Sequence, residues 1–278
     1  MNASPAKSEP TSARPLVDVR RLCVQFDSQQ VLRDVSLAVP RGQTVAVIGE
    51  SGCGKTVLLK SMIGLVRPTS GTVSFDGRDL AGMGEKELAA LRVRFGFLFQ
   101  GAALFDSMTV ADNFAFPLRQ HTKKSEREIT RLIDGRLEDV GLTSAALTKR
   151  PAELSGGMRK RVGLARALVM DPEIMLYDEP TTGLDPIMSD VINELILRQR
   201  RIDEDAAAVT NVIVTHDMRT VRKVADRAVM IVPATQVRKG ESQIIFDGPA
   251  AELDVADDAR VRQFVEGHAG GRITEETP

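Results

Sequence analysis

Thr44-Val45-Ala46-Val47-Ile48-Gly49-Glu50-Ser51-Gly52-Cys53-Gly54-Lys55-Thr56-Val57-Leu58-Leu59 is the stretch that decides the fold. Its first five residues form a short uninterrupted apolar run, the pattern of a strand buried on both faces. Glycines follow at 49, 52 and 54, and residues 57–63 read as a helix closed by Gly64. Strand, G-x4-G-K-T loop and helix together make a phosphate-binding unit. Glycines let backbone N–H groups approach and point at phosphate oxygens. The helix N-terminus adds partial positive charge. Gly49, Glu50, Ser51, Gly52, Cys53, Gly54, Lys55, Thr56 and Val57 are therefore the expected nucleotide-binding residues. Lys55 is expected to reach the β- and γ-phosphates, and the Thr56 hydroxyl to ligate Mg²⁺.

Working outward, the 278 residues allow one or two domains. Hydrophobic residues at 42% and charged residues at 27% supply a core of ordinary size. A formal net charge of -1 leaves no basic footprint for nucleic acid. No apolar run approaches the ~18 residues of a membrane span, so work at a membrane goes through a partner. Residues 1–15, MNASPAKSEPTSARP, read as a disordered tail without the apolar stretch of a signal peptide. Cys23 and Cys53 are the only cysteines, which suits a reducing cytosol.

Before the loop, Leu16, Val17, Val19, Leu22, Val24 and Phe26 give a partly alternating strand pattern. Residues 35–39 repeat it ahead of a Pro40-Arg41-Gly42 turn. Residues 71–75 form another strand, with Asp76-Gly77 as a turn signal. Helices are expected over 85–94, 110–118, 126–140 and 156–170. Residues 174–177 and 212–215 return as short buried strands, and 227–232 with 242–246 form a closing pair. The tail from Gly267 is polar and Gly-rich. The expected fold is α/β, a mixed core sheet with a helical insertion at about 100–165.

Two further elements carry chemistry. The strand at 174–177 ends in Asp178-Glu179, which places two acids at a sheet edge beside the phosphates. Asp178 would hold Mg²⁺ and Glu179 would orient or deprotonate an attacking water. Leu154-Ser155-Gly156-Gly157-Met158 opens the helix at 156–170. It is a second glycine-rich helix start and so a second anion site. Having no lysine of its own, it fits a half-site that closes on a phosphate bound elsewhere.

This run resembles the LSGGQ signature of ABC-transporter nucleotide-binding domains, and with the other elements the resemblance covers about residues 16–264. It implies a P-loop NTPase fold over 16–266, with an N-terminal antiparallel β-subdomain and an inserted helical signature subdomain. It implies ATP and Mg²⁺ as ligands. Phe26 matches the aromatic that stacks on adenine, Gln100 the Q-loop glutamine, Asp185 the D-loop aspartate and His216 the switch histidine. The resemblance gives Glu179, His216 and Gln100 catalytic roles and gives Thr56, Gln100 and Asp178 to the metal. It also implies a second copy packed head to tail, each copy's Leu154, Ser155, Gly156, Gly157 and Met158 capping the other's ATP. Two positions depart from the family pattern. Met158 stands where Gln is usual and cannot donate the same hydrogen bonds. Val57 stands where a second hydroxyl residue is common.

A finer similarity is to the MlaF type, the ATPases of Mla/Mkl phospholipid transport in Gram-negative envelopes. It rests on LSGGM, on Phe99-Gln100-Gly101-Ala102-Ala103-Leu104-Phe105, on Asp112-Asn113-Phe114-Ala115-Phe116-Pro117-Leu118-Arg119, on Asp185-Pro186-Ile187 and on Arg260-Val261-Arg262-Gln263-Phe264. It implies a permease like MlaE, MlaD-like and MlaB-like subunits, a place at the cytoplasmic face of the inner membrane, and a C-terminal tail, 267–278, that clasps the neighbouring ATPase. Residues 100–119 are unusually apolar, with Leu104, Phe105, Met108, Phe114 and Phe116. They are either local core or a groove for a permease helix. Two alternatives stay open. The same core would serve an importer of amino acids or metal chelates. A soluble ABC protein acting on nucleic acid or ribosomes is the other, against which the single P-loop and near-neutral charge count.

Overall fold

In the computed structural model, residues 14–199, 208–237 and 240–267 are described. Of the expected tails, 1–15 and 267–278, residues 1–13 and 268–278 lie outside them. Arg14 already donates a hydrogen bond to the Gly77 carbonyl (2.9 Å), two residues before the expected start of the ordered chain.

The apolar run that opens the decisive stretch is β3 (Thr44–Ile48), buried at all five positions. It is central in a six-stranded sheet. Its parallel neighbours are β8 (Thr210–Val214) on one side and β9 (Arg227–Ile231) on the other. Beyond β8 lie β7 (Ile174–Asp178) and β6 (Phe95–Leu98), also parallel. The order is closed beyond β9 by antiparallel β10 (Ile244–Pro249). β7 and β8 are likewise buried along their whole length, as strands covered by helices on both faces must be.

A separate four-stranded antiparallel sheet holds β1 (Val17–Phe26), β2 (Gln29–Val39), β4 (Ser70–Phe75) and β5 (Arg78–Asp79) in the order β2-β1-β4-β5. The Asp76-Gly77 turn joins β4 to β5 with both residues at positive φ, as the tight two-residue hairpin turn requires. α1 (Lys55–Met62) packs between the sheets, and one apolar cluster runs through both. α2 (Glu85–Arg92) flanks it.

Between β6 and β7 the chain leaves the sheet for α3 (Val110–His121), α4 (Glu126–Asp139) and α5 (Gly156–Leu168). Each begins on a hydroxyl: Thr109, Ser125 and Ser155 accept from the backbone N–H three residues on. Their core is a second apolar cluster that includes Phe114, Leu118, Ile133, Leu137 and Val162. α6 (Pro186–Gln199), α7 (Met218–Val224) and α8 (Ala259–Glu266) complete the fold.

The mixed sheet, the N-terminal antiparallel sheet and the inserted helices agree with the expected fold class. Three details differ. The helix expected over 85–94 stops at Arg92, and the chain at once becomes β6, a strand the sequence pattern did not announce. Arg94 is drawn away to Glu173 (2.8 Å) and Asp76 (3.2 Å), bridging the two sheets. α6 and α7 likewise go unannounced by the sequence pattern; Ile192, Leu195 and Ile196 of α6 share an apolar cluster with Met175, Tyr177 and Ile213 of the sheet, and Val221 of α7 packs with Ala46 and Met230.

Candidate functional site

Four adjacent parallel strands, β6, β7, β8 and β3, end on one edge of the sheet, and each delivers a site segment there. After β3 comes the glycine loop, after β7 the acids 178–179, after β8 His216, and after β6 Gln100. The register fixes their levels: Asp178 lies opposite Val214, Leu98 opposite Tyr177, and Thr215 N–H donates to the Val47 carbonyl (3.2 Å). This is the edge where ligands bind in open α/β sheets.

In the loop, Gly49, Gly52 and Gly54 have φ of 148°, 80° and 100°. A Cβ on Gly49 would stand 2.1 Å from the Ile231 carbonyl oxygen, so the first glycine is required by the approach of β9. A Cβ on Gly52 would meet nothing within 4 Å, so that glycine is required by its backbone angle. Lys55 is 7% exposed and its Nζ donates to the Gly49 and Glu50 carbonyls, both at 2.8 Å. The ammonium thus lies along the loop it would share with phosphates. Buried Cys53 faces Lys55, and burial pushes its thiol up. Gln243, fully buried, donates to the Cys53 carbonyl (3.0 Å) and the Val31 carbonyl (3.2 Å) while accepting from Arg33 N–H (2.8 Å). It pins the loop to β2, and no sequence motif marked it. Ser51 is exposed, and the Val57 side chain packs against the main core.

Thr56 Oγ1 donates to the Asp178 carboxylate, 2.9 and 3.1 Å from its two oxygens. Burial raises the Asp178 pKa, opposed by the Thr56 hydrogen bond. A hydroxyl and a carboxylate in contact suit a hard cation, which takes oxygen ligands. No group of three or more His, Cys, Asp or Glu among the described residues could hold a metal alone. The Thr56–Asp178 pair is the kind of donor set that suits Mg²⁺, which takes one or two protein ligands and fills its shell from phosphates and water.

Glu179 is 9% exposed, and its φ of 50° lies in the left-handed region. Its Oε1 is 3.0 Å from His216 Nδ1, and its Oε2 accepts from Thr182 Oγ1 (2.9 Å). A carboxylate has about four lone-pair sites, so roughly two remain for a water. Its backbone carbonyl accepts from Lys160 Nζ (2.9 Å). Lys160 is a buried residue whose pKa is lowered to about 8 by burial, despite the charges of Asp178 and Glu179. Neither Thr182 nor Lys160 was singled out in the sequence.

The other expected residues sit as follows. Phe26 ends β1 and is 47% exposed, so it belongs to no core. Gln100 is exposed two residues beyond β6. Asp185 Oδ1 accepts from Ile187 and Met188 N–H (3.0 Å each) at the start of α6. Leu154 is buried, Ser155 caps α5 through Met158 N–H (3.3 Å), and Ser155 and Gly156 face solvent. Gly157 is buried against Met188, and Met158 packs on the helical core. The hydrogen bonds of residues 154–158 stay within their own turn and helix. Side-chain hydrogen bonds thus join Thr56 to Asp178 and Glu179 to His216, whereas those of Asp185 and of residues 154–158 stay local.

The apolar stretch at 100–119 divides. Phe114 is fully buried core, while Phe105 and Phe116 are 43% and 38% exposed with ring centroids 5.1 Å apart. Buried Asn113 bonds both backbone groups of Phe105 (2.9 and 3.2 Å), and Arg166 donates to the Ala102 and Ala103 carbonyls (2.9 and 2.8 Å). The Phe105 ring is therefore held on a fixed loop, beside Phe116 on α3.

This edge, with a glycine loop, a hydroxyl–carboxylate pair and a hydrogen-bonded Glu–His pair, defines a nucleoside triphosphatase. Comparison with known proteins gives the family. The family described as ABC transporter matches residues 32–182. The chain is 43% identical over 258 residues to a protein of Mycobacterium leprae named probable ribonucleotide transport ATP-binding protein mkl, covering 92% of this chain and 70% of that one. It is 38% identical over 263 residues, 95% of both chains, to the intermembrane phospholipid transport system ATP-binding protein MlaF of Haemophilus influenzae. Among solved structures it is similar to the ATP-binding cassette MJ0796, a dimer in a post-hydrolysis state bound to ADP and Pi. There the TM-score is 0.72 at 28% identity over 84% of this chain and 98% of that one. The chain belongs to the ABC-transporter family and is an ATPase of that class.

Proposed function

We propose that this chain is the ATP-hydrolysing subunit of a phospholipid transporter, working as a head-to-tail dimer on a membrane permease. The observation that carries hydrolysis is the Glu179 carboxylate, held by His216 and Thr182 beside the Thr56–Asp178 pair. Lys55 and the loop N–H groups would bind the β- and γ-phosphates, and Phe26 would stack on the base. Thr56, Asp178 and Gln100 would hold Mg²⁺, which when bound neutralises charge on the phosphate oxygens. Glu179 would take a proton from the attacking water, and His216 would keep the carboxylate aimed. Ser155 and Gly156 are exposed at the N-terminus of α5, which supports their capping the ATP of a second copy through that helix end.

The near-complete overlap with MlaF supports phospholipid as the cargo of the assembly. No helix among the described residues is long and apolar enough to cross a membrane. Transport then depends on partners, a permease like MlaE with MlaD-like and MlaB-like subunits at the inner membrane. Phe105 and Phe116 are the apolar pair we assign to the permease contact. The ribonucleotide named for the mycobacterial relative is the competing cargo. The test is to purify the tagged full chain from its native membranes and identify its subunits and bound small molecules by mass spectrometry. The reading expects a permease and phospholipid, both lost from a Phe105→Ser/Phe116→Ser variant that still binds ATP. A complex carrying ribonucleotide cargo and no phospholipid would overturn the assignment.

A further inference from the structure

Lys160 has the geometry of a working residue, yet hydrolysis as set out above does not use it. The other buried positions of α5 are Gly157, Val162, Gly163, Leu164, Ala165 and Leu168. Lys160 is the one charged residue among them, and its residue is only 5% exposed. Burying an ammonium is unfavourable unless it is paired. Its hydrogen bond runs to a single place, the carbonyl oxygen of Glu179 (2.9 Å).

That carbonyl belongs to a strained residue. Glu179 has φ of 50°, a conformation that side chains with a Cβ rarely adopt and that persists only where the surroundings impose it. Three contacts impose it. The Glu179 N–H is held by the Val214 carbonyl of β8 (2.9 Å), and its C=O accepts from Lys160 of α5 (2.9 Å) and, at longer range, from the Thr182 N–H (3.4 Å). With both ends of the residue fixed, the carboxylate points to His216 and Thr182. α5 is also the helix that starts at Ser155-Gly156-Gly157, little more than one turn before Lys160.

We propose that Lys160 is a positioning residue that holds the strained Glu179 backbone, tying the base of one nucleotide site to the signature helix that closes the other. The inference rests on the composite-site reading above. A displacement of α5 as Ser155 and Gly156 meet a phosphate reaches the neighbouring base through one hydrogen bond. An apolar side chain of the same length would fill the space and lose that link.

The test compares Lys160→Met, which removes the donor, with Lys160→Gln, which keeps an N–H donor. Both are made in the full chain and again in a Glu179→Gln background. Phosphate release with Mg-ATP gives kcat and KM, a fluorescent ATP analogue gives affinity, and thermal unfolding reports the fold. Lys160→Met is expected to lower kcat roughly 10- to 100-fold, the scale of a misplaced catalytic group. Analogue affinity should stay within about twofold, because uniform binding is untouched. Lys160→Gln should recover part of the rate, and in the Glu179→Gln background Lys160→Met should add no further loss. A Lys160→Met kcat near the parent value overturns the proposal. So does a full additional loss in the Glu179→Gln background, because Lys160 would then act elsewhere. If Lys160→Met fails to fold, Lys160→Gln decides alone: an unchanged rate in the parent combined with a loss in the Glu179→Gln background rejects the link. Near-parent turnover in Glu179→Gln itself would instead reject the base assignment, a separate failure.

Discussion

Two loop glycines with positive φ should respond very differently to the same added methyl group. Gly52→Ala puts a Cβ into open space, so its penalty is the left-handed backbone alone, about 1–2 kcal/mol. Gly49→Ala carries a backbone penalty of about 1–3 kcal/mol and also places Cβ 2.1 Å from the Ile231 carbonyl oxygen, 3.2 Å from its carbon and 3.0 Å from Cys53 Sγ. An ordinary C···O approach is about 3.3–3.6 Å, so the oxygen must retreat by more than an ångström. It belongs to β9, whose Met230 pairs with Ile48 of β3 in the middle of the sheet. Forced overlap in a packed interior adds about 1–3 kcal/mol, giving a total of about 2–6 kcal/mol, a large share of the ~5–15 kcal/mol of a typical domain. Urea unfolding without nucleotide measures both variants, with the midpoint reporting stability and the slope checking that the same surface is exposed. If Gly49→Ala is no less stable than Gly52→Ala, the close approach of β9 does not constrain the loop as described.

Phe26→Ala should leave the unfolding midpoint unchanged because the ring is half-exposed, and should weaken ATP binding by about 1–3 kcal/mol, the usual worth of stacking on a base. Calorimetric titration decides it, and an unchanged affinity would remove Phe26 from the adenine site. At the bridge between the sheets, the Arg94 hydrogen bonds hold the Asp76 and Glu173 carboxyls below their ordinary values. A lowered folded pKa gives stability that is present above the usual carboxylate value of about 4 and is lost as pH falls through the lower folded value. The thermal midpoint should therefore drop on acidification below about pH 4, with a shallower acid limb in Arg94→Met. Both acids are partly exposed, so the effect should stay at or below ~1 kcal/mol and shrink in salt. An acid limb identical in the two proteins would contradict the pairing.

The parts of the molecule that could be read from the chain are those whose signal is local. The buried run at 44–48, the glycine loop, the strand ending in Asp178 and the glycine-rich helix start at 156 each specify their own conformation, and each formed. β6 was not legible because a helical pattern runs into it without a breaker and only four residues pair with β7. α6 begins at Pro186, which suits a first helical position, but its buried positions include polar Asn193 and Gln199, which blur the apolar period. The sorting of Phe114 from Phe105 and Phe116 depends on which helix face meets α4 and α5, a tertiary fact. Thr182, Lys160 and Gln243 were illegible for a related reason. Lys160 and Gln243 bond groups 19 and 190 residues away, a matter of strand order, while Thr182 bonds Glu179 three residues back through a turn that no motif marks.

The central claim is a composite site in which Glu179 serves ATP held by its own loop and capped by another copy's Ser155-Gly156-Gly157. The most direct test is the mass in solution of the Glu179→Gln chain with Mg-ATP, measured by light scattering after gel filtration. The account predicts a stable dimer holding two ATP with turnover lowered by about 10²–10⁴-fold, and loss of that dimer, with ATP still bound to the monomer, when Gly157→Asp is added. A Glu179→Gln chain that binds ATP and stays monomeric, or one that turns over like the parent, would contradict it.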